Sequence, residues 1–283
     1  MNKKIIFAAL FLLASLASAT FIRMSTNIYA EPIIQASSTV INISLINSGD
    51  EPAHDAQVSL ILPEGMASNG VYLGVMYPNV QYGAVFNVTV SEGKRPGRYP
   101  IVMKLHYTDA NAYPFSVVSP SFMMYKEATP VMVRGLIPET TLGISEEKEL
   151  KIRLSNMDVK PHNLLVHMVS SDEISMQSPE REVYVNANSE EDVSFRVKSF
   201  GALPESSYVV FATIEYDDEY HYSSVATGVV KVVSGGQGMG LSWLPLAILL
   251  ILILLFLVIT FRHGGSRWLL RKRVKSKGRR QGS

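Results

Sequence analysis

Along most of the chain, apolar and polar positions alternate in twos. Ile41, Ile43 and Leu45 alternate with Asn42 and Ser44; Phe86, Val88 and Val90 alternate with Asn87 and Thr89. Ile101, Met103, Leu105 and Tyr107 alternate in the same way with Val102, Lys104 and His106. A strand turns successive side chains to opposite faces, so this period predicts strands with one face in a core and one in water. Two segments break the pattern. Ile5 to Leu16 is an apolar run behind the basic Met1-Asn2-Lys3-Lys4, and Leu241 to Phe261 holds 21 residues without a charge.

The alternating patterns return about 109 residues further on. Leu45/Leu154, Asn47/Asn156, Pro52/Pro161, Phe86/Phe195, Val88/Val197, Tyr99/Tyr208, Tyr107/Tyr216 and Tyr113/Tyr222 all keep that offset. The strand starting near Ala56 matches better with one residue fewer, as Ala56/Leu164, Val58/Val166 and Leu60/Met168. Repetition of this kind predicts a duplicated β-domain of roughly 105 residues, the size of an immunoglobulin-like sandwich. Gly97-Arg98-Tyr99 opens its strand as a tyrosine corner does, with the phenol bonding back to the preceding loop, and Tyr208 takes the equivalent place. Tyr113 and Tyr222 recur between the copies, which favours packing for those two.

The expected fold is all-β: two tandem immunoglobulin-like β-sandwich domains followed by one C-terminal transmembrane α-helix. Residues 1–19 read as a signal peptide, with Ala17-Ser18-Ala19 as the small-residue cleavage pattern. Domain 1 takes residues 20–127, domain 2 takes 128–233, and 234–240 form a Gly-rich linker. The junction near Lys126 to Pro130 is short, which predicts sandwiches stacked end to end. Residues 241–261 form the span, since 21 helical residues rise roughly 30 Å, one bilayer core. Residues 262–283 form a basic cytoplasmic tail.

Charge fixes the orientation. The tail carries nine Lys and Arg and no acid, while residues 5–261 hold 15 bases against 25 acids. By the positive-inside rule the tail is cytoplasmic and residues 20–240 face outward, a type I single-pass arrangement in the plasma membrane. Trp243 marks one interface, and Arg262, Trp268, Arg271, Lys272 and Arg273 mark the other. The lipid bilayer is thus one expected partner, and an extracytoplasmic protein or surface layer is the other. So acidic a body is a poor fit to nucleic acid, and the sequence leaves the oligomeric state open.

The stretch INISLINSGDEPAHDAQVSLILPEGM, residues 41–66, resembles the CARDB-like sandwich modules of archaeal S-layer-associated and other prokaryotic envelope proteins. The resemblance rests on Asn47-Ser48-Gly49 before a turn and on Leu62-Pro63-Glu64-Gly65 at the end of the next strand. The second copy departs from it at Asn156-Met157-Asp158 and Ser170-Ser171. The resemblance implies spacers, adhesins or accessory subunits of the cell envelope.

Candidate chemistry is sparse. The chain has no cysteine, which excludes disulfides, thiolate sites and a lipoprotein anchor. No nucleophile elbow, P-loop or dinucleotide fingerprint is present, which points away from an enzyme, and no cofactor is expected. The six histidines read as solvated or turn residues, and the acidic tip Glu215-Tyr216-Asp217-Asp218-Glu219 as a solvated turn rather than a weak Ca²⁺ site. Asn42-Ile43-Ser44 and Asn87-Val88-Thr89 are N-glycosylation sequons on outward strand positions. Tyr72, Leu73, Met76 and Tyr77 lie in the most apolar loop, Val71 to Pro78, and are the expected partner contact. The expected function is a non-enzymatic cell-surface protein for envelope scaffolding, adhesion or protein binding. An accessory subunit of a membrane transporter or export complex and a carbohydrate-binding ectodomain are the alternatives.

Overall fold

The computed structural model describes residues 21–234, together with 249 and 251–253. The signal peptide, most of the linker, the tail, and Trp243, Arg262, Trp268, Arg271, Lys272 and Arg273 lie outside the described residues. Of the expected span only 249 and 251–253 are described, and they are helical. Among the described residues no helix is long and apolar enough to cross a membrane.

Residues 21–234 are all-β. The first sandwich contains β1 (Met24–Tyr29), β2 (Ser38–Asn47), β3 (Ala53–Ile61), β4 (Met66–Ala67), β5 (Val71–Met76), β6 (Gln81–Val90), β7 (Gly97–Thr108) and β8 (Pro114–Tyr125). The second contains β9 (Val133–Leu136), β10 (Thr140–Gly143), β11 (Glu147–Asn156), β12 (His162–Ser170), β13 (Ile174–Gln177), β14 (Glu180–Val185), β15 (Ser189–Ser199), β16 (Ser206–Asp217) and β17 (His221–Val233). In the first, the sheet β1-β2-β6-β4 faces a sheet of β8, β7, β3 and β5; in the second, β9-β11-β15-β13 faces β10, β17, β16, β12 and β14. This is the two-sheet layout of immunoglobulin-like sandwiches, an A-B-E-D sheet against a C-F-G sheet. The inward residues of the alternating runs meet in two cores, one around Ile41, Phe86, Ile101 and Met103 and one around Ile152, Leu164, Phe195 and Ile214.

The one-residue change of offset has a physical origin. Val58 pairs with Leu105 and Val166 with Ile214, so the partner strand keeps the 109 offset while β3 loses one. The extra residue is a bulge between His54 and Gln57, where Asp55 sits at φ 50°.

Two asparagines close the turns that follow β2 and β11. Asn47 is fully buried; its amide donates to Glu51 O at 2.7 Å and its side-chain oxygen accepts from Gly49 N at 3.0 Å. Asn156 repeats this, donating to Lys160 O at 2.8 Å and accepting from Asp158 N at 2.9 Å. Each amide also reaches across the sandwich, to Met76 O and to Val185 O. The Asn-x-Gly motif is therefore a structural latch, and the second copy keeps the latch while losing the glycine. The tyrosine corners are present as well. Tyr99 donates to Arg95 O at 2.7 Å, and the Tyr208 hydroxyl accepts from Leu203 N at 2.9 Å.

The sandwiches lie side by side, not end to end as the short junction suggests. Val102 and Val118 on the outer face of β7 and β8 pack against Val169 and Phe211 on the outer face of β12 and β16, with Ile61 and Val225 at the margin. Val102 and Phe211 belong to uninterrupted apolar runs, Pro100 to Met103 and Val209 to Ala212, the signature of strands buried on both faces. Beside this third core β7 and β17 meet in parallel at Gly97 and His221, and the two inner sheets become one of nine strands.

Replacing Asn47 or Asn156 by Ala leaves buried backbone groups unpaired and should cost about 1–3 kcal/mol each. The two latches sit in separate cores, so the losses should add in the double variant when thermal unfolding is followed by circular dichroism.

Candidate interaction surface

The seam between the sandwiches gathers much of the buried polar chemistry. At one end His221 donates its backbone N–H to Pro96 O at 2.9 Å, and its ring stacks on Tyr99 at 4.0 Å and 4°. Nδ1 lies 2.7 Å from Asp217 and Nε2 3.1 Å from Glu215. A Cβ on Gly97 would meet His221 O at 2.1 Å, and its φ of +148° is a conformation open to glycine. Ser223 donates to Arg98 O at 2.7 Å and Thr129 to His221 O at 3.2 Å.

The histidines therefore depart from the solvated reading at two positions. His162 is also buried, 2.8 Å from Asp158, and its hydrogen bond holds the Asp158 carboxyl below the usual range. His162 and His167 face opposite sides of β12, as a separation of five requires. The acidic tip is partnered within the chain: Lys160 pairs with Asp218 at 3.0 Å, Arg95 with Asp217 at 3.9 Å, and His221 Nε2 lies 3.1 Å from Glu215. Sequence reasoning missed the contacts of Arg95 with Asp217 and of Lys160 with Asp218 because their partners come from the other sandwich or from a distant turn.

At the other end of the seam Asp172 bridges Lys104 at 2.5 Å and His106 at 3.0 Å. Glu173 is buried, and its carboxylate accepts from Ser116 N at 3.0 Å. Tyr113 donates to Gly201 O, so it acts in the seam, whereas Tyr222 stacks on Tyr216 at 4.9 Å and 6°. A niche of about 410 Å³ opens here, lined in part by Tyr113, Phe115 and the exposed Phe200. Burial, with Glu173 nearby, pushes the Tyr107 hydroxyl up to about 12; burial also raises Tyr99 and Tyr216.

The apolar segment Val71 to Pro78 is largely strand, not loop. β5 is the last strand of the nine-stranded sheet, paired among the described residues with β3 alone. Tyr72 and Tyr77 are 66% and 57% exposed, whereas Leu73 is half-buried against the core and Met76 is fully buried. Met76 is therefore buried and not offered to a partner: it shares the parity of Tyr72, and the irregular register around Gly74 turns it into the core. The bulge at Asp55 and the positive φ of Gly74 at 75° break the β3–β5 register and set Tyr72 Oη 3.2 Å from Asp55. In the second copy the edge strand β14 pairs regularly and reads Glu180-Arg181-Glu182 where β5 reads Val71-Tyr72-Leu73. Asn42 and Asn87 are both exposed, on the outer face of the β1-β2-β6-β4 sheet.

Phe211→Asp should open the seam without unfolding either core, since the lost burial, ~1.5–3 kcal/mol, lies outside both. X-ray scattering of residues 21–234 should show a larger radius of gyration, and proteolysis should become fast near residues 126–130. The raised tyrosines give a second expectation. The folded state keeps protons that the unfolded chain releases near pH 10, so stability present below that value is lost as pH climbs towards 12. Denaturant titrations between pH 9 and 12 should show this fall, shallower in Tyr107→Phe.

No protein-family model matches the chain, and no curated protein matches it. Among solved structures the chain is similar to a FixG-related protein from Vibrio parahaemolyticus, at 9% identity and a TM-score of 0.27 over 37% of this chain and 97% of that one. It is similar to a type I cohesin from Pseudobacteroides cellulosolvens, at 10% identity and a TM-score of 0.28 over 39% and 98%. It is also similar to Escherichia coli alpha-2-macroglobulin, at 13% identity and a TM-score of 0.30 over 75% of this chain but only 18% of that one.

Proposed function

We propose that this chain is a non-enzymatic cell-surface protein that holds a rigid pair of sandwiches outside the plasma membrane and binds a protein partner of the envelope through the β5 edge. The observation that carries this reading is the contrast between the two edges. β14 is regular and charged, whereas β5 is uncharged, bulged and carries exposed Tyr72, with exposed Tyr77 directly after its end. Bulges stop a neighbouring chain from adding a strand, so the partner meets side chains at this edge instead of extending the sheet. Tyrosines bury large area at small entropic cost, which suits them to that contact.

The membrane side of the reading rests on sequence. The charge-free run 241–261 followed by nine basic residues fits a single span with a cytoplasmic tail. The likeness of residues 41–66 to CARDB-like envelope modules agrees with an outward-facing body, and the seam makes that body stiff enough to present one edge at a fixed angle.

Crosslinking in native membranes, read by mass spectrometry, is expected to join β5 to an extracytoplasmic protein. Tyr72→Ala with Tyr77→Ala should cut the crosslinked fraction at least tenfold while leaving the melting temperature within a degree or two. Unchanged crosslinking in that variant, or crosslinks that map only to the tail, would sink the proposal.

A further inference from the structure

The outer face of the first sandwich differs from that of the second in one respect above all. The strands β1, β2, β4 and β6 contain no charged residue. Their counterparts are dense in charge: β11 has five charged residues, β15 has five, and β9 adds Arg134. On that second face the charges tie the strands together, Arg153 with Asp192 at 3.2 Å and Arg196 with Glu147 at 3.8 Å. The first face offers Val40, Val85 and Tyr29 to solvent instead, at 44%, 59% and 59% exposure. A flat, uncharged sheet face with exposed aliphatic and aromatic side chains invites association unless something covers it.

Both sequons lie in the middle of this face. Asn42 stands opposite Val85 on β6 and opposite Tyr29 on β1, and Asn87 stands opposite Val40. The two asparagines are thus one diagonal apart on adjacent strands, with the two valines between them. Neither carboxamide has a hydrogen-bond partner among the described residues, unlike the buried Asn47 and Asn156. At the matching positions of the second copy stand Lys151 and Arg196. One copy is kept soluble by charge, and the other carries a sequon at each of the same two places.

We infer that Asn42 and Asn87 carry N-linked glycans that together cover the charge-free face of the first sandwich. This rests on the outward orientation proposed above. The amide nitrogen of each asparagine displaces the phosphate of a lipid-linked oligosaccharide from its anomeric carbon. One C–N bond forms, one C–O bond breaks, the lipid phosphate leaves, and the amide proton passes to a base of the transferase. Ser44 and Thr89 supply the hydroxyl that completes each acceptor motif. Tyr29 gives the first sugar on Asn42 an apolar ring to lie against.

The test uses the full-length protein purified from its own membranes, with protease digestion of intact cells run in parallel. Intact mass is expected to exceed that of the polypeptide by two glycans, and Asn42→Gln and Asn87→Gln should each remove one. The double variant should fold with unchanged circular dichroism but self-associate in sedimentation at concentrations where the wild type does not. Bare Asn42 and Asn87 peptides from a protein that external protease digests would overturn the glycan inference alone. Bare peptides from a protein shielded from protease would overturn both it and the outward orientation. Bare peptides with a wild-type dimer crosslinked through β2 and β6 would assign the face to a second copy of this chain, again overturning the inference.

Discussion

The burial of four side chains between the sandwiches is the constraint on which the rest of this architecture turns. Val102, Val118, Val169 and Phe211 sit on strand faces that a free-standing sandwich would turn to water. Their removal from solvent aligns β7 with β17 closely enough for Gly97 and His221 to share a backbone contact, and it brings Asp172, Glu173, Lys104 and Ser116 into reach of one another. The polar contacts at either end add specificity to an association driven by apolar area. The pairs Ser223 with Arg98 O, Ser116 with Glu173 and Lys104 with Asp172 would lose their partners in a slipped arrangement.

Much of the fold is legible in the sequence because strand alternation and internal repetition report local geometry. The 109 offset reproduces the strand map, and its one-residue lapse near Ala56 is the trace of a bulge at Asp55. The tyrosine corners could be anticipated because they need only a residue and the turn just before it. The placement of the sandwiches was less accessible. A short junction limits distance and not direction, and the informative signal, apolar residues at outward positions of β7 and β16, is readable only once the two runs are compared. The histidines were misjudged for a related reason: His221 owes its burial to Tyr99 of the other copy, and no spacing along the chain announces that.

The candidate surface was legible in part. Apolar composition pointed to Val71–Pro78, but composition does not say which side chains face out. The segment is a strand whose register breaks near Gly74, and that break, which composition does not announce, sends Met76 inward and leaves Tyr72 and Tyr77 outside. The two copies have since diverged at matching places. One spends its outer sheet on ion pairs and the other on neutral side chains; one has a regular charged edge and the other a bulged tyrosine-bearing edge. The surfaces of the two copies differ while the paired asparagine latches are the same.

The pairing of β10 with β17 bears on how the molecule resists force. Thr140–Gly143 run parallel to Val230–Val233, and β17 is bonded to β16 along nearly its whole length on the other side. Tension applied at the C-terminal end of β17 acts along the strand, so its hydrogen bonds are loaded in shear and must give way together instead of unzipping one by one. A body built in this way tolerates traction from the end at which the chain leaves it.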